Sequence, residues 1–271
     1  MTTETAVRLA FFLGILGMVA LGEVLAPRRV LTTSKSQRWF ANLVITGLNP
    51  LSVRLLFPML PVGMAVLAQE RGWGLLNSVA FPYWLEVAAG VLVLDLAIYL
   101  QHVMFHAIPT LWRLHMMHHA DLDFDVTTGL RFHPIEIVLS MAIKIMVVTL
   151  LGPPALAVLI FEVLLNATSM FSHSNIRLPL MVDRILRLLV VTPDMHRVHH
   201  SVILRETNSN FGFNLPWWDR LLGTYKDQPA KGHDAMTIGL SQFRDPNRLT
   251  LFHLLVLPFV GDPGAAPINR H

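Results

Sequence analysis

Cysteine is absent from the 271 residues. Its absence excludes disulfide staples, protein-ligated iron-sulfur clusters, haem-thiolate chemistry and a cysteine nucleophile. Charge is scarce as well. Asp, Glu, Lys and Arg make up 14% of the chain, against roughly a quarter in an ordinary soluble domain. With 53% of residues hydrophobic, most of the apolar surface must meet something other than water. Missing too are a phosphate-cradling glycine loop and a nucleophile-elbow serine. The formal charge of +3 and a sequence pI near 9.6 do not point to nucleic acid. The basic residues flank apolar segments instead of forming a block, which reads as a basic rim at a membrane surface.

Apolar runs and histidines are what the chain has in plenty. A bilayer core is crossed by about 20 mostly apolar residues in a helix, and runs at 9–26, 41–68, 84–101, 134–151 and 153–171 supply five such crossings. The first has Arg8 alone, not a basic cluster, before it and no small-residue cleavage site after it, so it is expected to stay as an anchor. Pro50, Pro58 and Pro61 are expected to kink or divide the second, and its Arg54 must face protein, water or headgroups. Arg28, Arg29, Lys35 and Arg38 crowd one short loop, which places that loop in the cytoplasm and the N-terminus outside. Asp123 and Lys226 then face the cytoplasm too. Gly152, Pro153 and Pro154 fold the last two runs into a hairpin. The expected fold is all-α, a polytopic membrane helical bundle with a cytosolic helical cap holding a dimetal site. Its parts are N-terminal membrane spans at 1–80, a histidine-bearing domain at 81–228 and a C-terminal tail at 229–271.

Thirteen histidines are present, and eight of them fall into three clusters on one side of that topology. His102 and His106 are four apart at the end of the third run, so their imidazoles share a helix face. Pro109 should end that helix, and Thr110 could cap a new one carrying His115, His118 and His119. Thr192, Pro193 and Asp194 read as a further helix start, followed by His196, His199 and His200 at the same spacing. Eight imidazoles exceed the roughly four ligands of a structural zinc and the three of a catalytic one, so two ions are implied. Imidazole suits zinc, copper, iron and nickel alike. Two ions of higher coordination number match the supply better than a pair of tetrahedral zincs, which favours iron, with zinc as a possible substitute.

The remaining polar candidates differ by position. His173, in Phe171-Ser172-His173-Ser174-Asn175, is placed to be a ninth ligand; Asn175 could ligate or orient a ligand. His133 could be a ligand, an orienting group or a satisfied loop histidine. His233, His253 and His271 lie in polar or tail contexts and are not expected to ligate. Asp95 and Tyr99 extend the stripe of His102 and His106, and an intramembrane carboxylate is a functional candidate by default. Seven residues rise about 10.5 Å, too far for Asp95 to bond His102. It could orient a histidine on another helix or simply bond Tyr99. Asp121, Asp123 and Asp125 begin like a calcium loop, but Val126 and Phe132 stand where its glycine and glutamate belong, so a polar loop is expected. Met104, Met116 and Met117 read as packing residues.

Taken in order, several runs resemble the successive motifs of the fatty acid hydroxylase/sterol desaturase superfamily. They are residues 95–106, Leu111-Trp112-Arg113-Leu114-His115-Met116-Met117-His118-His119, Thr128-Gly129-Leu130-Arg131-Phe132-His133-Pro134-Ile135-Glu136 and Pro193-Asp194-Met195-His196-Arg197-Val198-His199-His200. Asn210-Phe211-Gly212 and residues 218–224 resemble its closing signature, and Val103 departs from it where many members carry arginine. The resemblance implies a non-haem di-iron site that uses dioxygen to hydroxylate or desaturate a lipid. It also implies an external electron donor, expected to be a separate reductase or small redox protein. A zinc-dependent membrane hydrolase or lyase on the same histidine scaffold is the alternative.

Overall fold

The structure is a computed structural model that describes residues 3–265 and 268. The described residues form helices and loops, with two isolated β-bridges in place of any strand. Thirteen α-helices follow one another. The first seven are α1 (Thr3–Leu25), α2 (Lys35–Leu56), α3 (Pro61–Arg71), α4 (Tyr83–Ala107), α5 (Pro109–His119), α6 (Pro134–Leu151) and α7 (Ala155–Ser172). Six shorter ones complete the chain: α8 (Leu180–Leu186), α9 (Pro193–His199), α10 (Leu204–Thr207), α11 (Trp217–Leu221), α12 (Gly232–Ala235) and α13 (Leu251–Val260).

Five stretches are long and apolar enough to cross a membrane: Thr5–Leu25, Lys35–Ser78, Tyr83–Ala107, Pro134–Leu151 and Ala155–Ser172. Leu9, Phe11, Leu13 and Met18 of α1 face outward, as lipid-facing residues do and as a water-facing helix would not. The second stretch is divided, though only at one of the expected places. Pro50 sits inside an unbroken α2, while Phe57 caps that helix and Pro61 opens α3 at its first turn, the position where a missing N–H costs nothing. At one end of the bundle, residues 73–77 meet the Gly152 turn. A Cβ on Gly74 would lie 2.3 Å from the Gly152 nitrogen, so both glycines, each at positive φ, are needed for the approach.

Within the bundle, charges are paired. Lys144 of α6 donates to Glu162 of α7 at 2.9 Å, and Arg8 of α1 bridges the same carboxylate at 2.6 Å. Such pairing is what makes ionised groups tolerable among apolar helices. Glu23, near the end of α1, accepts backbone N–H bonds from Val126 at 2.7 Å and Asn175 at 2.9 Å. It ties the first span to two loops that carry motif residues.

The 121–130 segment is mostly loop and polar, as expected, but it is not open to solvent. Asp121, Asp123 and Asp125 are all buried. Arg38 donates to both oxygens of Asp121 at 2.7 and 2.9 Å and to Asp125 at 2.6 Å. Asp123 receives the backbone N–H groups of Thr32 and Thr33. Burial would raise the Asp121 pKa, but the Arg38 and Arg131 guanidiniums outweigh it and hold the carboxyl far below its ordinary range. Arg38 is therefore an internal partner and not part of a free basic rim. The segment from 229 onward does not hang free either. Leu240, Leu254 and Leu257 share a core with Ala41, Ile45, Trp112, Met116 and Met117.

Candidate metal centre

Four pieces of chain deliver the histidines. His102 and His106 come from the last turns of α4, and His115, His118 and His119 from α5. The start of α5 differs from expectation: Ile108 holds the cap and Pro109 is the first helical residue, with Thr110 inside the helix. His173 caps the end of α7. His196 and His199 lie on α9 with His200 at its cap, and the Thr192 side chain accepts from the Met195 N–H to start that helix, as expected.

The structure gathers nine imidazoles into two abutting groups. His102, His106, His115, His119 and His199 form one; His118, His173, His196 and His200 form the other. Within each group the potential ligand atoms lie within 4.8 Å of one another. The groups share α5 and α9, and the rings of His119 and His200 stack at 4.5 Å across the boundary.

Hydrogen bonds behind the rings determine which nitrogen faces inward. His102 Nδ1 donates to the Phe211 carbonyl at 2.7 Å, His106 Nδ1 to Asn208 Oδ1 at 3.1 Å and His115 Nδ1 to Glu136 Oε1 at 2.7 Å. His118 Nδ1 donates to the Arg131 carbonyl at 3.2 Å, His173 Nδ1 to the Ser169 carbonyl at 2.7 Å and His199 Nδ1 to the Ser209 carbonyl at 2.7 Å. A ring whose Nδ1 carries the hydrogen presents a bare lone pair at Nε2. His106 Nε2 lies 3.2 Å from Nε2 of His119, whose own Nδ1 has no partner, and in two further pairs both rings are so oriented and their lone pairs face each other: Nε2 to Nε2 is 3.1 Å for His102 and His115 and 3.1 Å for His118 and His173. No hydrogen remains to bridge such a pair, so the contact is repulsive until a cation stands between.

Protonation supports the same reading. Burial, and after it the neighbouring imidazoles, hold His118, His119, His196, His199 and His200 well below the usual histidine pKa. Burial pushes His173 down to about 3. These rings are neutral near pH 7, the form that ligates metal. The spacing also tests the kind of ion. Two imidazole nitrogens each about 2.1 Å from one first-row ion are about 3.0 Å apart at right angles and about 3.4 Å apart at the tetrahedral angle. Separations of 3.1–3.2 Å lie between the two values, so the residues present fit first-row ions each bound by several imidazoles.

Aromatic rings wall the site. Phe132 stacks on His118 at 4.4 Å, Phe213 lies 5.1 Å from His102, Phe124 5.4 Å from His173 and Trp112 4.9 Å from His106. Close packing of the backbone sets one wall. A Cβ on Gly129 would fall 2.5 Å from the Ser169 carbonyl and 3.1 Å from His173 Nδ1, so only glycine leaves that histidine its acceptor.

Three further candidates stand elsewhere. Asp95 neither orients a histidine nor bonds Tyr99: its Oδ2 accepts from Trp218 Nε1 at 2.8 Å and the Leu215 N–H at 3.3 Å, while Tyr99 pairs with Thr224. It anchors the closing signature, in which Asp219 receives the Phe211 and Gly212 N–H groups and so fixes the carbonyl that orients His102. His133 caps α6, accepting from Ile135 and reaching the Leu255 carbonyl, and lies outside both groups. The Asn175 side chain bonds the Arg29 backbone. Of the other histidines, His253 is exposed and His233 is buried beside Asp194 at 3.7 Å; His271 lies outside the described residues.

Sequence reasoning assigned no role to Glu136. Its one signal was an acid in the first turn of an apolar helix, right after a motif histidine. The carbonyls of Phe211, Arg131, Ser169 and Ser209 leave no sequence signal, because any residue supplies one.

Fold and site together define a membrane helical bundle with a buried all-histidine centre at one end. The chain belongs to the fatty acid hydroxylase family, whose profile matches residues 87–224, just over half of it. It is 28% identical over 227 residues to an ornithine lipid hydroxylase of Rhizobium tropici, covering 80% of this chain and 66% of that protein. It is 27% identical over 186 residues to alkylglycerol monooxygenase of Homo sapiens, covering 67% of this chain and 39% of the relative. A methylsterol monooxygenase of Arabidopsis thaliana is 25% identical over 171 residues, covering 62% and 64% respectively. The chain thus spans less than two thirds of the length of these relatives. No solved structure matches it significantly.

Proposed function

We propose that this chain is an oxygen-dependent lipid hydroxylase or desaturase that works with a pair of iron ions at the cytoplasmic face of a membrane. The observation that carries the reading is the convergence of nine imidazoles, their potential ligand atoms gathered in two abutting groups, in a chain whose relatives are named as lipid hydroxylases and monooxygenases. His102, His106, His115, His119 and His199 would hold one ion, and His118, His173, His196 and His200 the other. Two iron ions, when bound, supply the redox chemistry that couples dioxygen to oxidation of a carbon–hydrogen bond. The protein fixes six of the nine rings through their Nδ1 hydrogens, so those ligands need not reorganise during turnover. Phe132, Phe213 and Phe124 pack on the imidazoles and would keep water from the centre. Electrons would come from a separate reductase or small redox protein.

Purified protein should contain two irons and consume oxygen with reductant and a lipid extract. With isotope-labelled dioxygen, a hydroxylated product should carry the label. Turnover without oxygen, or hydroxyl oxygen drawn wholly from water with zinc as the active metal, would instead place the protein among hydrolases or lyases.

A further inference from the structure

Of the large apolar side chains exposed outside the five apolar stretches, nine gather on one part of the cap. Leu180, Met181, Val182 and Ile185 of α8, with Leu188 and Leu189 just after it, form one row. Trp217, Leu221 and Leu222, on α11 and at its end, form another; across both rows exposure runs from 40% to 74%. The rows are one surface. Trp217 Nε1 donates to the Leu188 carbonyl at 2.6 Å, Arg220 to the Arg187 carbonyl at 3.1 Å and the Val191 N–H to the Asn214 carbonyl at 3.0 Å.

Polarity across α8 is inverted. Asp183 and Arg187 are buried and paired at 2.7 Å, and Arg187 reaches Asp227 at 2.9 Å on its other side. This ion pair points inward while the apolar side chains point out, the reverse of what a water-facing helix does. An environment of hydrocarbon accounts for that arrangement. Its height is set by the neighbouring spans. The patch begins eight residues after α7 ends at Ser172, and the Arg177 N–H bonds the Ala26 carbonyl just beyond α1. Arg177, Arg184 and Arg220 are exposed around the apolar rows, and the exposed acid beside them, Asp227, is paired with Arg187. A cationic rim with an apolar centre and a tryptophan matches a leaflet whose headgroups include anionic lipid.

We infer that this patch is embedded in the leaflet at which α1 and α7 end, so that the cap is moored to the bilayer by a monotopic surface in addition to its spans. The occupant is the acyl and headgroup region of the bilayer itself. Residues 211–215, which carry Phe211 and Phe213 to the histidines, lead directly into Pro216 and Trp217. Mooring there holds the site wall at a constant depth.

The cysteine-free chain allows one spin label at a time. Leu188→Cys and Leu221→Cys would be labelled and reconstituted in phosphatidylcholine vesicles containing phosphatidylglycerol. Leu13→Cys on the outward face of α1 gives the lipid reference, and Lys231→Cys on the exposed cap gives the aqueous one. Labels at 188 and 221 should collide with oxygen several-fold more readily than with a water-soluble nickel chelate, as at 13. The pattern of position 231 would overturn the inference. So would protection from both reagents, which would mean that a protein partner or a second copy covers the patch.

Discussion

Removing the Glu136 carboxylate frees the His115 ring to rotate while all nine imidazoles stay on the chain. Orienting partners of this kind are worth about 10–100-fold in metal affinity. Glu136→Ala is therefore expected to raise, by that factor, the ease with which a chelator strips metal; Glu136→Gln, whose amide oxygen still accepts from Nδ1, should stay close to the parent. Equal chelator resistance in all three proteins would end the orienting role. His233 supplies a pH test. Burial pushes it down to about 4 from an unfolded value near 6.5, against the pull of Asp194. Below the unfolded value the unfolded chain takes up a proton that the folded chain refuses, so stability falls as pH drops from about 6.5 toward 4 and levels off below that. Replacing His233 with Gln should flatten that part of a profile of unfolding temperature against pH. An unchanged slope in the variant would show that other groups carry the acid sensitivity.

Elements were legible where a local pattern decides them and opaque where a distant partner does. The five apolar stretches, the Gly152 hairpin and the Thr192 start of α9 follow from run length, glycine and proline placement and a capping hydroxyl. The break after α2 came at Pro58 and Pro61, as the prolines suggested, but Pro50 was absorbed and Pro109 opened a helix instead of only closing one. The acid run at 121–125 shows the limit most clearly. Nothing adjacent distinguishes a solvated loop from a buried one, and Arg38, which buries it, lies more than 80 residues away in sequence. That pairing predicts its own energetics. Arg38→Met leaves Asp121 short of a partner and Asp125 without its guanidinium, a loss of about 3–5 kcal/mol when one side of a buried pair is removed. Adding Asp121→Asn should recover part of it, because an amide tolerates burial better than an unpaired carboxylate. Denaturant unfolding in detergent measures both, and a single variant as stable as the parent would contradict the pairing.

At the scale of the whole molecule, the eight histidines of the repeated clusters and His173 were readable as one set because spacing put each cluster on a helix face and topology put the clusters at one end. Asp95, His133 and Asn175 were not, because a polar residue near a site and one that serves it look alike until backbone partners are known. Orientation remains to be measured directly. Asp123 is buried and would report little, whereas Ser36, Lys231 and Glu70 are exposed. Cysteines at 36 and 231 should resist an impermeant thiol reagent in intact cells and one at 70 should react; the opposite pattern would invert the topology. None of the nine imidazoles is more than 3% exposed, and the helices that bear them are packed into the same bundle that crosses the bilayer. An ion seated there escapes only when that packing opens. A centre so enclosed would load most readily while the chain is closing, and afterwards its rate of exchange would follow the opening of the cap rather than the supply of ions outside.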